Sequence, residues 1–200
     1  MNESKLDRYI TGMKGMNLPN RLTLMRICLV PVYLCLLWFA GSRQMMRILA
    51  FIVFALASLT DLLDGKIARK YHLVTNFGKF MDPIADKLLT HTAFIMFVAL
   101  GELNVLYGII FIAREFIVSG LRLVAVEQGK VIAAGMSGKV KTVFQMILVM
   151  LLTLQLPGTV FAVLTEIVGA AAAIMTLVSM IEYVMKNRSV LTEKQEGMQH

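Results

Sequence analysis

Apolar residues run in long blocks along this chain, and polar residues collect at the block ends. A membrane-crossing helix takes about 20 mostly apolar residues. Six segments meet that pattern: 22–41, 46–70, 80–100, 104–126, 141–156 and 159–184. Turn or breaker signals fill every gap: Gly41-Ser42, the 71–78 stretch, Gly101 to Asn104, the glycine-rich 129–138 stretch, and Pro157-Gly158. The fifth block is short, and the second and third run on into polar residues. Ahead of the first block, Leu6, Tyr9, Ile10 and Met13 recur at helical spacing. That fits an amphipathic helix lying on the membrane surface, or, given Gly12 and Gly15, a frayed terminus. The pattern predicts an all-α integral membrane protein of six transmembrane helices. It has one domain at 17–188, an extension at 1–16 and a tail at 189–200.

Composition agrees. Of 200 residues, 58% are hydrophobic, against roughly 45–50% in soluble domains, and the mean hydropathy is +0.71. The net charge of +7 raises nucleic acid as a partner. No basic stripe interleaves with aromatics, however, and Lys and Arg sit at block ends, where anionic lipid is the matching partner. Counting them in the short loops sets the orientation. Lys5, Arg8, Lys14 and Arg21, then Lys66, Arg69, Lys70 and Lys79, then Lys130, Lys139 and Lys141, and finally Lys186, Arg188 and Lys194 all fall on one side. Only Arg43 and Arg47 fall on the other, so both termini are expected in the cytoplasm. Trp38-Phe39-Ala40 is no small-x-small cleavage site, so no removable signal peptide is expected. Cys28 and Cys35 are about 10 Å apart on a helix rising 1.5 Å per residue, too far for a disulfide, and are expected to be buried packing residues.

One stretch breaks the apolar pattern. Between Asp7 and Glu102 the only acids are Asp61, Asp64, Asp82 and Asp86, all within DLLDGKIARKYHLVTNFGKFMDPIADK (61–87). At spacings of three and four, each pair shares a helix face. Four close carboxylates cannot all stay ionised without counter-charge. Two divalent cations, Mg²⁺ or Mn²⁺, would neutralise them and favour such hard oxygen ligands. Gly65, Ala68 and Gly78 leave room for a ligand, and Arg69 can fork onto phosphate oxygens. The plain alternative is a set of solvated helix ends paired with Arg69, Lys70 and Lys79. It would suffice for one Asp and is weak for two helical pairs around two glycines.

The spacing D-x2-D-G-x2-A-R-x8-G-x3-D-x3-D, met at Asp61, Asp64, Gly65, Ala68, Arg69, Gly78, Asp82 and Asp86, resembles the CDP-alcohol phosphatidyltransferases. NLPNRLTLMRI (17–27) and AREFIVSGLRLVAVEQGKVIAAGMSGKVKT (113–142) are similar to the phosphatidylglycerolphosphate synthase branch. The resemblance implies a six-helix membrane fold, a homodimer, and a binuclear metal site facing the cytoplasm of a bacterial inner membrane. It implies Asp61, Asp64 and Asp82 as metal ligands, and Asp86 as catalytic base and further metal contact. Asn20, Thr23, Gly65, Ala68, Arg69 and Gly78 would hold the cytidine diphosphate end of CDP-diacylglycerol, and CMP would leave as glycerol 3-phosphate attacks.

The fourth block buries Arg114, Glu115 and Arg122 among apolar residues, and buried charge is costly unless paired. Glu115 and Arg122, seven apart, share a face and are expected to pair. Arg114, Lys139 and Lys141 then remain as spare positive charge for a phosphate-bearing acceptor. The resemblance favours Arg114, Arg122 and Lys139 as the glycerol 3-phosphate pocket, with Lys141 weighed toward the positive-inside rule alone. The rivals are an acceptor such as inositol phosphate or phosphatidylglycerol, and a divalent-cation transporter. The transporter lacks any acidic trail through the other blocks. His72 and His91 have no partner at a metal-ligand spacing, and the small run Gly169 to Ala173 suits close helix packing.

Overall fold

The structure, a computed structural model, describes residues 18–41, 43–70, 76–130, 132 and 135–190. The side chains of residues 18–19, 61–70, 76–80, 82–83, 86 and 189 stand outside that description. The surface-helix reading of 1–16 also falls outside the described residues. Six long helices follow one another: α1 (Leu18–Ala40), α2 (Gln44–Lys70), α3 (Asn76–Ala99), α4 (Val105–Glu127), α5 (Met136–Leu154) and α6 (Thr159–Lys186). A 3₁₀ turn, Arg188–Val190, closes the described chain. No strand occurs among the described residues. The helix boundaries lie within a few residues of those the apolar blocks predict. The largest departure is α5, which starts at Met136 rather than at 141. Two compact units result, Met1–Leu100 with Thr153–Gln155, and Gly101–Leu152 with Leu156–His200.

In the first unit α1 packs against α2 and α3. Its buried positions are Asn20, Thr23, Arg26, Val30, Tyr33, Leu37 and Ala40, the three-and-four spacing of one helical face. Ala50, Phe54 and Ala57 of α2 and Ala85, Leu89, Ala93, Phe94 and Phe97 of α3 are buried too. Tyr33 meets Phe54 with ring centroids 5.4 Å apart, and its hydroxyl is 2.8 Å from Thr153 Oγ1. Gln44 donates to the Leu154 carbonyl at 2.8 Å. At the other end of α2, the Ala57 carbonyl accepts from Arg26 Nε at 3.3 Å and from Thr60 Oγ1 at 2.7 Å.

In the second unit α4 packs on α6. Asn104 caps α4 by accepting from the Leu106 amide at 2.9 Å, which satisfies one of the free amides of a first turn. Past its other end Gly129 takes φ +69°. The Lys130 amide there reaches the Ala125 carbonyl at 2.8 Å and the Gly129 amide reaches Val126 at 2.9 Å. This is a Schellman termination, in which glycine takes the left-handed position without Cβ strain. The small run of α6 does bring helices close. A Cβ on Gly169 would lie 3.3 Å from the Tyr107 ring and 3.6 Å from Leu148 Cδ1.

The core is largely apolar but also holds polar and charged side chains, and the outer faces are apolar as well. The exposed faces carry large apolar side chains, including Trp38, Phe39, Ile109, Phe116, Val160, Ile167 and Ile174. Buried positions hold Asn20, Thr23, Arg26, Arg114, Glu115, Lys141, Gln145, Thr176 and Ser179. Hydrocarbon is the solvent that favours this arrangement, and the chain is a membrane protein. α1 from Asn20, α5 and α6 are each long and apolar enough to cross a bilayer. Shorter apolar stretches, Gln44–Thr60 and Lys87–Ala99, lie within α2 and α3. Cys28 and Cys35, expected to be buried, are exposed. Seven residues apart, they lie on the face of α1 away from its polar stripe, among Leu24, Val32 and Trp38.

Gly169→Val should lower the thermal unfolding midpoint of detergent-solubilised protein, at a cost of about 1–3 kcal/mol. The added side chain overpacks the contact with Tyr107.

Candidate functional site

Polar chemistry collects at one place in each unit. In the first unit, Asn20 and Thr23 are buried on α1 with Arg26 one turn further on. The bond from Arg26 Nε to the Ala57 carbonyl holds α1 against the turn of α2 that immediately precedes Asp61. Asp61, Asp64, Gly65, Ala68 and Arg69 occupy the last turns of α2. Gly78, Asp82 and Asp86 occupy the first turns of α3. The helical backbone gives Asp61 and Asp64 one shared face, and Asp82 and Asp86 another. The side chains of these eight residues lie outside the described set, so their placement rests on the backbone alone.

In the second unit the side chains are described. Arg114 of α4 is buried, and its guanidinium is held at two corners. Nη1 donates to Glu115 Oε1 at 2.7 Å, and Nη2 donates to Ser179 Oγ of α6 at 2.8 Å. The same Glu115 oxygen accepts from the Lys141 ammonium of α5. Lys141 is only 1% exposed, so the bland reading of it as a loop cation does not hold. The expected Glu115–Arg122 pair does not form. Although seven residues apart on one helix, Arg122 reaches Tyr183 instead. Its Nε donates to the tyrosine hydroxyl at 3.2 Å, and its guanidinium carbon stands 5.7 Å from the ring centroid, within cation–π range. Tyr183 is fixed in turn by packing against Val118 and Leu121.

Glycine makes the close approach around Arg114 possible. A Cβ on Gly138 would fall 3.2 Å from Arg114 Nη2 and 3.6 Å from Ser179 Oγ. This explains why α5 runs through Gly138 where the sequence pattern reads a breaker. Among the described residues, two cations meet one carboxylate here. Arg114 Nε is buried and has no hydrogen-bond partner among the described residues, which leaves a donor to spare.

A cavity of about 130 Å³ opens beside this cluster, lined by Arg114, Arg122, Ser137, Gly138, Ser179, Glu182, Tyr183, Lys186 and Asn187, among others. It brings together Arg114 and Arg122 of the three acceptor residues read from sequence. Lys139 is exposed on the first turn of α5 and is not part of the lining. Lys186, which the sequence reading treats only as a charge on the tail, does line the cavity and pairs with Glu182 one turn away. Ser179 and Glu182 were missed as well. The signal for them was a polar stripe in an apolar helix, Thr176, Ser179, Glu182, Tyr183 and Lys186, with neighbours at spacings of three and four. The arrangement suits an anion, since guanidinium groups fork onto phosphate oxygens.

Comparison with known proteins converges on one family. The sequence profile described as CDP-alcohol phosphatidyltransferase matches residues 16–181. The CDP-diacylglycerol–glycerol-3-phosphate 3-phosphatidyltransferase of Bacillus subtilis (strain 168) is 41% identical over 187 residues, covering 88% of this chain and 97% of the relative. Proteins of the same name from Rickettsia bellii (strain RML369-C) and Pseudomonas fluorescens are similar too. The first is 39% identical over 84% of this chain and 93% of its own length. The second is 36% identical over 84% and 88%.

The ion cluster has a measurable cost of removal. Glu115→Gln strips the counter-charge from two buried cations and should destabilise the protein by about 3–5 kcal/mol, read as a fall in the unfolding midpoint in detergent. Adding Lys141→Met to that variant should recover part of the loss, because one of the stranded charges is gone.

Proposed function

We propose that this chain, which belongs to the CDP-alcohol phosphatidyltransferase family, transfers the phosphatidyl group of CDP-diacylglycerol to sn-glycerol 3-phosphate. The products are phosphatidylglycerol phosphate and CMP. The names of the relatives support this reading, and the cavity in the second unit carries it. A phosphate monoester bears roughly −1.5 to −2 charges at neutral pH, and Arg114 and Arg122 line a space of about 130 Å³. That volume and charge suit a small dianionic alcohol better than phosphatidylglycerol, with one phosphodiester charge and two acyl chains.

The donor side rests on the resemblance and on helix positions. Asn20, Thr23, Gly65, Ala68, Arg69 and Gly78 would hold the CDP end while the acyl chains stay in the bilayer. Asp61, Asp64, Asp82 and Asp86 offer only carboxylate oxygens from two helix faces, a donor set that fits two Mg²⁺ or Mn²⁺ ions. When bound, such ions supply positive charge that offsets the diphosphate and the leaving group. Asp86 takes the proton of the acceptor hydroxyl as its oxygen bonds to the lipid-side phosphorus and the phosphorus–oxygen bond to CMP breaks. Arg114 and Arg122, which line the cavity, act on the acceptor's phosphate. The distribution of Lys and Arg supports a cytoplasmic side for both termini and the active site, and the resemblance implies a bacterial inner membrane. The chain acts as a homodimer, as the resemblance implies.

Purified protein in lipid or detergent, given Mg²⁺ and CDP-diacylglycerol, should release CMP with glycerol 3-phosphate and not with inositol phosphate or phosphatidylglycerol. Chelation should abolish release, and added Mg²⁺ should restore it. Asp86→Asn should slow release by about 10²–10⁴-fold, the usual span for loss of a general base. Release with a different acceptor would overturn the acceptor assignment. Metal flux without CDP-lipid consumption would overturn the enzyme.

A further inference from the structure

We infer that Glu115, Lys141 and Ser179 are positioning residues for acceptor binding, and that Lys141 acts on the acceptor through Glu115 and Arg114 rather than by touching it. This rests on the proposed function and deepens its acceptor site. Lys141 is buried and does not line the cavity, so direct contact with a ligand there is not its role. Its ammonium shares Glu115 Oε1 with Arg114 Nη1. Lys141 thus grips, from α5, the same carboxylate oxygen that holds Arg114, and fixes Glu115 where it aims the guanidinium.

The second part of the inference is geometric. A free arginine side chain carries about 2 kcal/mol of rotamer entropy, which a ligand must freeze if the protein has not. Here Nη1 is held at 2.7 Å by Glu115 and Nη2 at 2.8 Å by Ser179, and Gly138 admits the guanidinium where any side chain would crowd it. Two corners fixed from two helices set the plane of the group before the acceptor arrives, and pre-organisation of this kind appears as affinity.

A phosphate held away from the reacting hydroxyl is bound alike in ground and transition states. Its loss therefore raises KM and leaves kcat in place. CMP release by the full chain in detergent, with each substrate varied in turn, tests this on Ser179→Ala and Lys141→Met. Both leave the Arg114–Glu115 pair intact. Each should raise KM for glycerol 3-phosphate about tenfold, with kcat and the KM for CDP-diacylglycerol within about twofold, in line with the usual worth of a hydrogen bond to a charged group. Ser179→Thr and Lys141→Arg, which restore the hydroxyl and the charge, should bring KM back toward wild type. Variants that melt earlier yet keep the wild-type KM for glycerol 3-phosphate would make the cluster merely structural and overturn the inference. An equal loss for both substrates would overturn it too. Wild-type protein that does not use glycerol 3-phosphate at all would overturn the proposed function first, and this inference with it.

Discussion

The structure depends on one constraint, the lack of water around most of its helices. In hydrocarbon a polar group that lacks a protein partner stays unsatisfied, so polar side chains turn inward and apolar ones face out. α6 shows the result most clearly. Val160, Ile167 and Ile174 are exposed, while Gly169, Thr176, Ser179 and Tyr183 are buried. Small residues at the inner face let helices approach. Thr176 returns its hydroxyl proton to the Ala172 carbonyl at 2.6 Å and accepts from Gln145 of α5 at 3.1 Å. Polar contacts thus join the second unit's helices alongside its buried apolar residues, such as Phe111, Leu121 and Leu148.

The same constraint concentrates chemistry. A charge can persist inside such a fold only with a partner, so buried charges come in clusters, and a cluster with one charge in excess is a ready anion site. Among the described residues, the Arg114–Glu115–Lys141 group sets two cations on one carboxylate. In the first unit the buried arginine is used differently. Arg26 donates to a backbone carbonyl and fixes α1 against α2 just before the acidic turns. Arg26 thus ties two helices through a backbone oxygen, whereas Arg114 is held by side chains of α4 and α6.

The sequence shows the helices because their apolar blocks are long and the breakers between them are strong. It shows the acidic motif because eight residues at fixed spacing leave little room for coincidence. It misleads wherever side-chain direction decides. Glu115 and Arg122 share a helix face at a spacing of seven, but Tyr183 comes from another helix and takes the arginine. Lys141 reads as a loop cation because nothing local announces that Glu115, 26 residues earlier, lies opposite it. Cys28 and Cys35 read as buried because apolar composition says inside in water, and in a bilayer it says outside. Gly138 reads as the end of a breaker region, and α5 instead runs through it.

That glycine carries a consequence for how the protein can change. Alanine is favoured over glycine inside a helix by about 1 kcal/mol, so local propensity rewards filling position 138. The neighbouring guanidinium and serine hydroxyl penalise the same methyl group. Selection for a sturdier helix and selection for a well-placed arginine therefore pull in opposite directions at a single residue. A library screened for thermal tolerance alone would be expected to drift toward sequences that are easier to purify and poorer at capturing their acceptor.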